Sequence, residues 1–296
     1  MTITELLIDP FLVSDAMKRA FAASLAVSIA GAPLGVMLII RRMALAGDVL
    51  THTLLPGVAV AYLLAGQSPA VMILGGTISG LTAVYLSMFV SRSTILREDT
   101  SLATFYVLSL ALGILLLSVG TNNSDGDFAE ELLHILFGNA LEIGHSTLMT
   151  IASISTGSII IFALIYRLLV LESFDPVFLL SVGGRGAFVH LVFMTLVVLN
   201  LISGATTLGT MMAIGLMTVP GAAARMWTQD LGVAIAGAIG IAIISSVLGL
   251  LVGHHASLPL GPTIIMIAGI IFVFSVLFGR QNGLIQRFRH PAHLNG

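Results

Sequence analysis

Asp48 and His52 stand four residues apart in the run Gly47-Asp48-Val49-Leu50-Thr51-His52-Thr53-Leu54-Leu55-Pro56-Gly57. On a helix that spacing puts a carboxylate oxygen and an imidazole nitrogen on one face, where both reach one ion. Oxygen and nitrogen donors suit manganese, iron(II) or zinc and fit poorly with copper(I), which prefers sulfur. Two ligands are too few for a tight site; a second copy of the chain, related by a two-fold axis, would bring the number to four. The competing reading has Asp48 accepting backbone N–H bonds at a helix start and His52 as a satisfied polar residue. Ionisable groups at membrane depth are costly and usually face a pathway, which favours the metal. Pro56-Gly57 is expected to break the helix and open backbone carbonyls to a cavity.

The surroundings of that pair are apolar throughout. Of 296 residues, 57% are hydrophobic and 9% charged, against about 25% charged in an ordinary soluble domain, and the mean hydropathy is +1.08. So few charges cannot cover a water-exposed surface, so the fold class expected is an all-α polytopic integral membrane protein in one domain, residues 1–296. The net charge of −2 and pI near 6.4 offer no basic field for nucleic acid. No cysteine is present, which excludes disulfides, iron–sulfur clusters and thiolate zinc sites. The first residues carry neither a positive n-region nor a cleavage pattern, so the N-terminus is expected to be retained.

Apolar runs of about 20 residues fall near 20–40, 49–66, 70–90, 101–119, 146–170, 187–204, 207–226, 231–252 and 262–279. Nine spans are expected, or eight if the second span or the junction at Gly204 fails. Basic residues are retained on the cytoplasmic side. With the end of the first span inside, Arg41, Arg42, Arg92, Arg97, Arg167, Arg185, Arg225, Arg280, Arg287 and Arg289 all face the cytoplasm and only Lys18 and Arg19 lie outside. Residues 1–19 are then an outer segment, 172–186 a cytoplasmic segment and 280–296 a cytoplasmic tail.

Between the fourth and fifth spans Asp125, Asp127, Glu130 and Glu131 form an acidic outer mouth. Glu130 and His134, four apart, are outer-face candidates for an ion, with solvation of a helix end as the favoured reading. His254 and His255 take the same reading at another outer turn. His190, early in the sixth span, is expected to hydrogen-bond a neighbouring helix. Two Pro-Gly runs, Pro56-Gly57-Val58-Ala59 and Pro220-Gly221-Ala222-Ala223, sit in similar apolar settings but do not define a repeat. Lys18 is the only lysine and lies outside any glycine-rich context, so the chain has no Walker A loop and does not hydrolyse ATP by itself. Gly-x-Ser-x-Gly and His-Glu-x-x-His are absent as well, and the chain is expected not to be an enzyme.

The segment Gly47 to Leu64 resembles the signature of the metal-ion family of ABC importer permeases. Arg97-Glu98-Asp99-Thr100, Leu133-His134-Ile135-Leu136-Phe137-Gly138-Asn139, Phe174-Asp175-Pro176, Ala213 to Arg225 and Leu258-Pro259-Leu260-Gly261-Pro262-Thr263 match that family in order along nearly the whole chain. The chain departs at Ser101-Leu102-Ala103-Thr104-Phe105, which lacks an Ile-Gly pair, and at Leu180-Ser181-Val182-Gly183-Gly184, where Ala-Leu-Gly-Val is more usual.

The resemblance implies the helical architecture of the metal and B12 importers and residence in the bacterial inner membrane. It implies three partners within the lipid bilayer or beside it: a separate ATP-binding subunit, a metal-binding extracytoplasmic solute-binding protein and a second permease chain, identical or related. No cofactor is bound permanently; manganese, zinc or iron is cargo. Asp48 and His52 match the transient ligands, and Phe174 to Gly186 the helix that docks on the ATPase, with Phe174, Asp175, Pro176, Gly183 and Arg185 as coupling residues. The alternative is an ion-coupled secondary cation carrier, which needs titratable groups deep in several spans, whereas most span cores here carry no charge.

Overall fold

The computed structural model describes residues 14–66, 68–121, 143–281 and 283–285. Among them the chain forms eleven helices and no strand: α1 (Asp15–Ile40), α2 (Ala46–Thr53), α3 (Leu55–Ala65), α4 (Pro69–Ser93), α5 (Glu98–Thr121), α6 (His145–Phe174), α7 (Pro176–Ser181), α8 (Gly186–Leu208), α9 (Thr210–Arg225), α10 (Leu231–His255) and α11 (Leu260–Phe278). Eight stretches among the described residues, counting α2 and α3 together, are long and apolar enough to cross a bilayer. The polytopic all-α membrane fold therefore holds.

The ninth expected span, 207–226, is the 16-residue α9. At 1.5 Å per residue it is about 24 Å long, short of a hydrocarbon core of about 30 Å. It can be short because it is surrounded by protein: α1, α2, α8, α10 and α11 all pack on it. The expected junction at Gly204 is displaced to Gly209. Gly209 has φ +94°, a conformation that disfavours any side chain, and there α8 ends and α9 folds back. Gly204 instead lets the two helices meet, since a Cβ on it would lie 2.7 Å from the Ala213 Cβ.

Helices α1 and α9 form the centre. They contribute to both hydrophobic clusters, one shared with α2 to α6 and α8, the other with α6, α8, α10 and α11. Without a hydrophobic force between helices in lipid, close packing of small residues does the holding. A Cβ on Gly35 of α1 would sit 1.7 Å from the Met217 carbonyl oxygen of α9. Gly221, from the second Pro-Gly pair, packs on the same stretch of α1. Buried polar groups pair across helices, as Ser28 Oγ with Ser246 Oγ at 3.3 Å and Asn200 Nδ2 with Ser158 Oγ at 2.8 Å.

Candidate functional site

Asp48 and His52 lie on the eight-residue α2, which follows α1 after a five-residue turn. The turn is closed by Met43 N–H on the Leu38 carbonyl (2.8 Å) and Arg42 N–H on the Ile39 carbonyl (3.0 Å), the bonds of a Schellman motif. Arg42 occupies its left-handed position at φ 60°, while Leu38 and Met43 are buried together. At the far end α2 stops at Leu54 because Pro56 has no amide hydrogen for the His52 carbonyl. The expected break is present. Beside it the Thr53 carbonyl accepts from Ser79 Oγ of α4 at 2.7 Å. Gly57 then brings α3 onto α4, where a Cβ would meet the Gly75 carbonyl oxygen at 1.9 Å.

The two candidate ligands share one face of α2. Asp48 is exposed and His52 half-buried, the His52 ring lying edge-on to Tyr106 of α5 with centroids 5.2 Å apart. Asp48 does not cap the helix. Leu45 holds the N-cap position without a side-chain bond, and Asp48 sits inside the first turn. Gly47, packed beside Met217 of α9, fixes the height of this turn. No cluster of three metal-ligating side chains occurs among the described residues of one chain. Glu130, His134 and the rest of the acidic mouth lie outside the described residues. His254 and His255 are exposed; His255 Nδ1 bonds to the Leu251 carbonyl of its own helix at 2.8 Å. A groove of about 660 Å³ between α3, α4 and α5 has a mostly apolar lining without a carboxylate or imidazole.

The coupling candidates form a compact projection between α6 and α8. Asp175 caps α7, its carboxylate accepting from Phe178 N–H at 2.9 Å, and Pro176 occupies the first turn where its missing donor costs nothing. Gly183 ends the segment at φ 78°. Leu179 turns inward and is buried, while Phe174, Val177, Phe178, Leu180 and Val182 are exposed and Arg185 stands beside them.

Sequence reasoning missed a buried ionic cluster at this end of the bundle. Arg41, just after α1, pairs with Glu172 near the end of α6; its side chain is 8% exposed and that of Glu172 16%. Arg41 Nε also donates to Ser173 Oγ at 3.0 Å, Nη1 meets His190 Nδ1 of α8 at 2.9 Å, and the guanidinium lies 4.8 Å from the Phe193 ring centroid. His190 Nε2 meets Glu98 Oε1, at the start of α5, at 2.6 Å. A guanidinium can only donate, so His190 accepts at Nδ1 and donates from Nε2. Burial pushes Arg41 down to about 10, partly offset by Glu98, and it remains a cation at neutral pH. The expected bond from His190 to a neighbouring helix is present; that it meets Arg41 and Glu98 was not expected.

Residues 13–279 match the model of the ABC 3 transport family. The chain is 30% identical to the manganese transport system membrane protein MntC of Listeria monocytogenes, over 91% of this chain and 92% of that one. It is 28% identical to the manganese import system permease protein ScaB of Streptococcus parasanguinis, over 88% and 89%. Among solved structures, PsaBC from Streptococcus pneumoniae in complex with Fab superposes with a TM-score of 0.83 at 24% identity, covering 98% of this chain and 100% of the other. That likeness carries the fold.

Proposed function

The chain belongs to the ABC 3 transport family, and from that premise we propose that it is the membrane-spanning permease subunit of an ATP-driven importer for a divalent transition metal. The observation that carries the reading is the Asp48 and His52 pair on one face of a helix broken in mid-span, Asp48 exposed and unused as a cap. Manganese is the leading cargo, since the MntC and ScaB relatives are named for it. Zinc and iron accept the same ligands.

The roles follow from the chemistry of each part. Asp48 and His52 hold the ion transiently, and the same pair from a second permease chain completes the coordination. A separate subunit hydrolyses ATP, and an extracytoplasmic binding protein delivers the ion in the inner membrane of a bacterium. Five exposed apolar side chains on the Phe174–Val182 projection are out of place in water; they fit the groove of the ATPase, with Asp175, Pro176, Gly183 and Arg185 holding the shape.

The test is uptake of radiolabelled manganese and zinc by vesicles holding the chain with its ATPase and binding protein. ATP-dependent uptake, abolished by Asp48→Ala/His52→Ala in an assembled complex, is the expected result. Uptake driven by a proton or sodium gradient without ATP would replace the importer by a secondary carrier.

A further inference from the structure

The ionic cluster is not among the proposed metal ligands, yet it links four buried or half-buried ionisable side chains. Its members come from three distant parts of the chain: Arg41 and Glu172 are 131 residues apart, Arg41 and His190 149, and His190 and Glu98 92. A buried ionic cluster is no economical way to hold helices together, because apolar side chains of equal volume hold them as well or better. Its placement indicates another use.

Glu172 and Ser173 immediately precede the coupling projection, and His190 follows it on α8. These are its two roots, and Arg41 grips both. Arg41 is also the first residue of the turn leading into α2, the helix of Asp48 and His52. Through His190 the grip extends to Glu98, the first residue of α5; two turns farther along α5, Tyr106 touches the His52 ring. Both roots of the projection are thereby tied to both elements that set the position of His52.

We infer that Arg41, Glu172, His190 and Glu98 are positioning residues that carry movement of the ATPase-docking projection to the metal-binding turn, with His190 as the joint between the two arms. The inference rests on the permease reading. His190 suits the joint because its ring accepts from Arg41 on one side and donates to Glu98 on the other, so a shift of the projection pulls on α1 and α5 together.

The test measures ATP hydrolysed and manganese imported by the same vesicles, holding this chain with its ATPase and binding protein, for wild type, His190→Leu, His190→Gln and Glu98→Met. In His190→Leu the complex should assemble and hydrolyse ATP, while ions imported per ATP fall about tenfold or more, within the range of ordinary coupling energies. His190→Gln keeps one acceptor and one donor and should stay within about threefold of wild type. If His190→Leu does not assemble, Glu98→Met carries the same expectation, since it keeps the length of the side chain and removes the oxygen to which His190 Nε2 donates.

An unchanged ratio of ions to ATP in both His190→Leu and Glu98→Met overturns the inference. So does a parallel loss of uptake and hydrolysis, which a purely architectural cluster would give. Absence of ATP-dependent uptake by wild type would sink the permease reading itself and the inference with it, whereas a transporting wild type with coupled variants sinks the inference alone.

Discussion

A carboxylate and an imidazole one turn apart hold a divalent ion loosely, which is what a translocation step needs, since an ion bound tightly is not released. Asp48→Ala and His52→Ala should each lower uptake at least about tenfold, the scale on which weaker perturbations of metal sites already act, and both variants should co-purify with the ATPase. Neither side chain carries a helix cap or a core contact whose loss would unfold the chain. A different ledger governs Arg41 and Glu172. Removing one member leaves the other charged and buried, so Glu172→Leu should lower stability by about 3–5 kcal/mol, read from thermal unfolding in detergent. Arg41→Met/Glu172→Leu should recover most of the loss; a double variant no better than the single one would show that the pair does not account for the cost. Local spacing exposed Asp48 and His52 because their geometry is that of one helical turn. It could not expose the Arg41 cluster, whose members meet only through tertiary packing. The available signal was that four ionisable residues, Arg41, Glu98, Glu172 and His190, all stand at or near the ends of apolar runs.

At the scale of elements, glycine explains both what the sequence disclosed and what it hid. Apolar runs marked the helices well, since a bilayer demands about 20 such residues from any span. They could not distinguish a glycine that ends a helix from one that lets two helices touch, and hence the expected junction fell at Gly204 rather than Gly209. Gly57 belongs to the second kind. With the Gly75 carbonyl oxygen 1.9 Å from the site of its missing Cβ, Gly57→Ala must separate α3 from α4, at a cost of about 1–3 kcal/mol. Gly157 on α6 has nothing within 4 Å of that position, so Gly157→Ala should leave stability unchanged or raise it by up to about 1 kcal/mol. Thermal unfolding of the two variants side by side checks this; equal behaviour would mean that the α3–α4 contact does not constrain the fold. In the coupling projection Asp175 accepts from Phe178 N–H. Asp175→Lys removes that cap and reverses the charge, and should abolish the stimulation of ATP hydrolysis by the loaded binding protein; normal stimulation would count against the docking assignment.

For the whole molecule, the proposed metal site needs more ligands than one chain brings together. Among its described residues no three metal-ligating side chains come together, and Asp48 is exposed although α2 as a whole packs against α4, α5, α8 and α9. An exposed carboxylate on an otherwise packed helix is placed to meet something outside the chain, and the same residue of a second chain across a two-fold axis would complete a four-ligand set of the kind manganese or zinc accepts. A mixed assembly separates this arrangement from two independent sites. If two differently tagged copies, one wild type and one Asp48→Ala/His52→Ala, are purified together with the ATPase, independent sites would leave about half of the wild-type uptake. A shared site keeps only two of its four ligands in the mixed assembly, so uptake should fall nearly to the level of the doubly substituted one, because losing even one ligand from such a set costs about tenfold or more. Uptake at half the wild-type rate would place a complete path in each chain and remove the need for the two-fold partner at the metal.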